Sequence, residues 1–107
     1  MYTTRLGIAA DNRSQIAERI ATLGAVPNGV IQTVAAASTL PPYPADAVSG
    51  NDHLTALADR FAELGNTVRE QIDQTAELGD ADTSDLLIGF SRMLDQSLWF
   101  VEAHLTD

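Results

Sequence analysis

Asp11, Ser14 and Glu18 stand three and four residues apart, the spacing that gathers side chains on one face of an α-helix. Hard cations take oxygen ligands of this kind, but they need several more than one helix face offers. Alone, the three describe a solvated face. A second acidic group, Asp80, Asp82 and Asp85, concentrates negative charge where a helix would begin. Capping by Asp82 and Asp85 explains it; a symmetry axis passing there would instead make the same residues a ring that draws in cations. Nothing else suggests chemistry. His53 and His104 could be joined into a Ser-His-Asp set only arbitrarily. There is no Gly-rich phosphate loop and no His-x-x-x-His pair. Neither histidine has a Glu three residues earlier, and Glu102 and His104, two apart, face different ways on a helix. Both histidines read as surface residues.

The totals bound the classes. The 107 residues suit a single domain spanning 1–107, with 45% hydrophobic and 20% charged residues as in ordinary globular proteins. A net charge of −9 and the absence of lysine argue against direct DNA binding, which needs a basic footprint. Without cysteine there is no disulfide and no thiolate metal site. No apolar run reaches the ~20 residues of a membrane span, and the N-terminus has no signal pattern, so no membrane partner and a cytoplasmic location are expected.

Three helices must position these residues. The first spans about residues 2–23, its apolar side drawn from Leu6, Ile8, Ala9, Ile16, Ile20 and Leu23, with Gly24 and Pro27 to stop it. A second runs from Asp52 to Thr75 or Ala76, with Leu54, Leu57, Ala58, Phe61, Leu64, Val68 and Ile72 as its stripe and Asn51 or Asp52 as cap. After Gly79 the third carries Leu86, Leu87, Phe90, Met93, Leu94, Leu98, Val101 and Leu105 at helical spacing, capped by Asp82 or Thr83. The short turn between the last two makes them antiparallel neighbours.

Residues 25–50 form a long connection. Pro27-Asn-Gly29, Pro41-Pro-Tyr-Pro44 and Ser49-Gly50 break it, residues 30–37 are too few and too evenly small to assign, and residues 44–48 suit a single helical turn. Extended, it reaches ~80 Å, well beyond the ~30 Å of a 20-residue helix, so it can cross the molecule and leave its flanking helices parallel. Trp99 and Phe100 widen the last helix's apolar face, to be covered either by another chain or by the long connection.

The chain contains, in order, Ile16-Ala-Glu-Arg-Ile20 with Leu23-Gly24, Thr39-Leu-Pro-Pro-Tyr-Pro44, Asp52-His-Leu, Leu57-Ala-Asp-Arg60, Asp82-Thr-Ser-Asp-Leu86, Ser91-Arg-Met-Leu-Asp95 and Leu98-Trp-Phe-Val-Glu102. Together these segments carry a resemblance, from about Ala17 onward, to the Dps family, the mini-ferritins of bacteria and archaea. It implies an all-α, ferritin-like helical bundle with a long crossover containing a short helix. It also implies a dodecameric homo-oligomeric shell that binds and oxidises iron(II), stores the iron and guards against oxidative damage. Glu18 matches an iron ligand of the family's ferroxidase site, and Asp80, Asp82 and Asp85 fall near its acidic ion pore. Ser14 stands where that site has an Asp, and Asp11, one turn earlier, is the candidate to compensate. The chain begins where the family's second helix should, so a truncated or inactive form is also expected. Two alternatives follow: a non-catalytic oligomerisation module on the same scaffold, or a subunit whose first helix, and with it the ferroxidase site, is completed by a separate polypeptide.

Overall fold

The computed structural model describes the backbone over residues 2–105 and the side chains over residues 11–105. All of its regular structure is helical: α1 (Tyr2–Thr22), α2 (Ile31–Ala37), α3 (Gly50–Glu77) and α4 (Ala81–Ala103). Cα packing divides the chain between Thr39 and Leu40 into two compact units, the first holding α1 and α2 and the second α3 and α4.

In the first unit, Ile16, Ala17 and Ile20 of α1 are half-buried, whereas Leu6, Ile8 and Ala9 lie outside the described side chains. Gly24 ends the helix as expected. At φ 92° it takes a left-handed conformation that costs an L-residue ~1–2 kcal/mol. Its N–H donates to the Ala21 carbonyl at 3.0 Å and the Ala25 N–H to Ile20 at 3.1 Å, the paired bonds of a Schellman cap. The stretch left unassigned in the sequence becomes α2, seven residues preceded by Val30, whose N–H donates to Asn28 Oδ1 at 3.0 Å.

The second unit opens with an irregular stretch. Residues 44–48 form no helical turn. The Ala47 N–H reaches the Pro44 carbonyl at 3.3 Å, and the chain then extends into Ser49. Ser49, rather than Asn51 or Asp52, caps α3. Its hydroxyl accepts the Asp52 N–H at 3.1 Å while Asp52 Oδ2 accepts the N–H groups of Val48 and Ser49, each at 3.4 Å. This reciprocal capping box explains why the helix starts two residues before the expected point. At the other end Gly79, at φ 79°, repeats the Schellman cap: its N–H donates to Ala76 and that of Asp80 to Thr75.

Asp80 then caps α4, in place of Asp82 or Thr83. Its carboxylate accepts the Thr83 N–H at 3.1 Å and the Thr83 hydroxyl at 2.6 Å. α3 and α4 pack as an antiparallel pair through a seam of small residues. Ala56, Gly65 and Val68 are buried on α3, and Ser84, Ser91 and Leu94 on α4. Short side chains let the backbones approach, and the Ser84 hydroxyl donates across the seam to the Ile72 carbonyl at 3.3 Å. Arg69 and Asp95 close one edge, Nη1 to Oδ1 at 3.1 Å; both are about half exposed, so the pair adds under ~1 kcal/mol.

Candidate functional site

The periodicity of α1 places Asp11, Ser14 and Glu18 along one exposed face. Thr22, one turn beyond Glu18, turns its hydroxyl back to the Glu18 carbonyl at 2.8 Å and leaves the Glu18 carboxylate to solvent. A helix face gives a cation ligands from one side only. Among the described residues no three His, Asp or Glu side chains converge into a group that could hold a metal ion.

The second acidic group sits at the turn between α3 and α4. Asp80 is half-buried, its carboxylate bonded to Thr83, while Asp82 and Asp85 are exposed in the first turns of α4. Both carry their charge outward, and Asp82, in the first turn, lies where the positive end of the helix dipole favours it.

A third constellation was not legible in the sequence. Tyr43, between the prolines, places its hydroxyl 2.5 Å from His53 Nδ1, the two rings 20° from parallel with centroids 5.7 Å apart. The Arg60 guanidinium lies over the Tyr43 ring at 5.4 Å from its centroid. Its Nη2 donates to the Pro42 carbonyl and its Nη1 to the Ala56 carbonyl at 3.0 Å, while Nε is buried without a partner. These contacts bind the proline segment to α3. Beside them a groove of about 280 Å³ is lined by Pro44, Asp46, Asp52, Thr55, Asp59 and Arg60, among others. The Asp52 carboxyl at its edge is held below the ordinary value of 3.8 by the Val48 N–H, then by the Ser49 N–H and hydroxyl and the nearby His53. The signal available was the spacing of His53, Ala56 and Arg60 on one face of α3. His53 and His104 are both exposed, as expected; His104 Nδ1 lies 2.7 Å from the Phe100 carbonyl and its ring packs on Phe100 at the end of α4.

The sequence pattern of the ferritin family, a ferritin-like domain, matches residues 12–107. A DNA protection during starvation protein of Agrobacterium fabrum is 44% identical over 92 residues, which cover 86% of this chain and 57% of that protein. The fine tangled pili major subunit of Haemophilus ducreyi is 30% identical over 105 residues, covering 98% of this chain and 55% of that one. Among solved structures, Mycobacterium smegmatis Dps in its tetragonal form superposes with a TM-score of 0.88 at 30% identity, over 97% of this chain and 63% of that chain. Deinococcus radiodurans Dps92, at 22% identity and a TM-score of 0.82 over 91% of this chain and 58% of that one, shares the fold. The chain spans about half the length of the curated relatives it matches. On this family match and these Dps likenesses, the chain belongs to the ferritin-like family, in its Dps branch.

Proposed function

We propose that the chain is an iron-handling Dps subunit that binds and oxidises iron(II), stores the iron(III) product within a homo-oligomeric shell, and thereby limits oxidative damage. The observation that carries this reading is Glu18, an exposed carboxylate on the helix with which the ferritin-like match begins. Its partners in an iron site come from a neighbouring chain, since one helix face is too few ligands for a hard cation. Asp11 lies on the same face and supplies the carboxylate that Ser14 does not. Asp82 and Asp85, exposed at the start of α4, with Asp80 behind them, give the assembled shell an acidic passage that concentrates cations. The Agrobacterium fabrum relative bears a name that speaks of DNA protection. In this chain, with a net charge of −9, protection works by removing iron(II) and its oxidant rather than by coating DNA.

Stopped-flow oxidation of iron(II) by peroxide tests the reading. The wild-type protein is expected to oxidise iron(II) faster than the uncatalysed reaction, and Glu18→Ala to lose most of the gain. Equal rates for the two proteins overturn a ferroxidase role for this face. The second reading, a non-catalytic assembly module, is favoured by the hydroxyl of Ser14 and by likeness to a pilus subunit. A stable homo-oligomer with no iron oxidation above background selects it.

A further inference from the structure

The Tyr43–His53 contact has the parts of a proton-coupled redox site. With the imidazole neutral, the phenol O–H donates to Nδ1 across 2.5 Å, at the short end of hydrogen-bond lengths. Removing an electron from a phenol leaves a strongly acidic cation radical. Oxidation is therefore easier where a base is already bonded to the O–H. Tyr43 is 45% exposed, within reach of a dissolved oxidant. The groups that face the pair are Arg60, over the phenol, and Asp52, beside His53 in the chain. The guanidinium opposes positive charge on the ring, which favours loss of the electron together with the proton. The Asp52 carboxylate steadies the imidazolium that results. Arg60 is a positioning residue as well, since its bond to the Pro42 carbonyl fixes the backbone next to Tyr43.

We propose that Tyr43 is a redox-active tyrosine whose proton acceptor is His53. A one-electron oxidant of the hydroxyl-radical or metal(III)–polypyridyl class takes one electron from Tyr43 while the phenol proton passes to Nδ1. The O–H bond breaks and an N–H bond forms, giving a neutral phenoxyl radical and an imidazolium. A one-electron donor such as iron(II) returns the electron, the imidazolium returns the proton, and iron(III) is produced. The site goes beyond the iron-handling reading, and only this last use rests on it.

The test supplies the oxidant without iron, so that it stands or falls separately from ferroxidase activity. Photogenerated ruthenium(III) tris(bipyridine), with persulfate as the final acceptor, is applied to the full chain carrying Tyr2→Phe and Trp99→Phe, which leaves Tyr43 as its one tyrosine and removes the one tryptophan. Freeze-quenched electron paramagnetic resonance is expected to show a tyrosyl signal that Tyr43→Phe abolishes. His53→Gln keeps a hydrogen-bond acceptor but not a base. It is expected to slow radical formation by about a hundredfold, the lower end for general-base assistance, and to remove the solvent deuterium isotope effect. Circular dichroism checks that the variants remain helical. A His53→Gln variant that forms the radical at the parent rate, or a parent that forms none, overturns the proposal.

Discussion

At Ser14 a hydroxyl occupies the turn before Glu18, where a carboxylate would give two anionic oxygens on one face of α1. Carboxylates suit hard cations far better than neutral hydroxyls. Ser14→Asp is therefore expected to tighten iron(II) binding by at least about tenfold, the scale at which even outer-shell ligand partners act. Anaerobic titration calorimetry reads this, and unchanged affinity removes α1 from the iron site. Asp52 gives a pH dependence of definite sign. Its carboxyl is held below 3.8 by the N–H of Val48, the Ser49 N–H and hydroxyl, and His53. The unfolded chain thus binds this proton at a pH where the folded chain does not. The stabilisation is complete above about pH 3.8 and disappears as pH falls through the lowered value. Acid titration followed by circular dichroism should show a shallower acid limb in Asp52→Asn than in the wild type. Ser49→Ala, which removes the other half of the box, is expected to cost about 1 kcal/mol.

At the scale of the element, two glycines are expected to respond in opposite directions. Gly79 sits at φ 79° with open space around it, so Gly79→Ala strains the backbone and costs about 1–2 kcal/mol without any clash. Gly89 lies within α4, and a Cβ there meets nothing within 4 Å, so Gly89→Ala gains up to about 1 kcal/mol of helix propensity. Thermal unfolding should separate the two variants; a fall in melting temperature for Gly89→Ala would mean that another chain packs against that face. The long helices were legible in the sequence because burial on one side imposes a period of 3.6, and Gly24 and Gly79 mark their ends chemically. Their starts were less so. Asn51, Asp52, Asp82 and Thr83 all have capping side chains, and only backbone geometry selects Ser49 and Asp80. α2 is the short helix of the crossover that the resemblance implies; the residue pattern alone did not assign it, because seven residues with mostly small side chains carry too few turns to show a period. Tyr43 and His53 escaped for a different reason: they meet across an irregular segment, where no periodicity relates one residue to the other. Asp11, Ser14 and Glu18 share a face as expected, but a site completed by a second chain leaves no geometric trace within one.

Burial bears on the molecule as a whole. Among the described residues only Ala56, Val68 and Leu94 are buried apolar side chains, while Trp99 is 66% exposed and Ile31 81%. Val26, Val48 and Leu78 are likewise more than four-fifths exposed, so burial within one chain leaves much apolar surface uncovered. Trp99 and the half-buried Phe100 beside it extend the apolar side of α4, a surface suited to another copy of the chain. The −9 charge does not prevent such association, because salt screens exposed charges separated by more than about 8 Å. Folding coupled to assembly makes the melting temperature rise with protein concentration, which a stable monomer would not do. Light scattering over a dilution series, with melting followed in parallel, is expected to show one large species whose melting temperature falls as it is diluted. Trp99→Glu places a charge on the exposed apolar face and should shift that species towards smaller mass. A compact monomer that unfolds cooperatively at every concentration would contradict the assembly argument, and with it a metal site shared between chains.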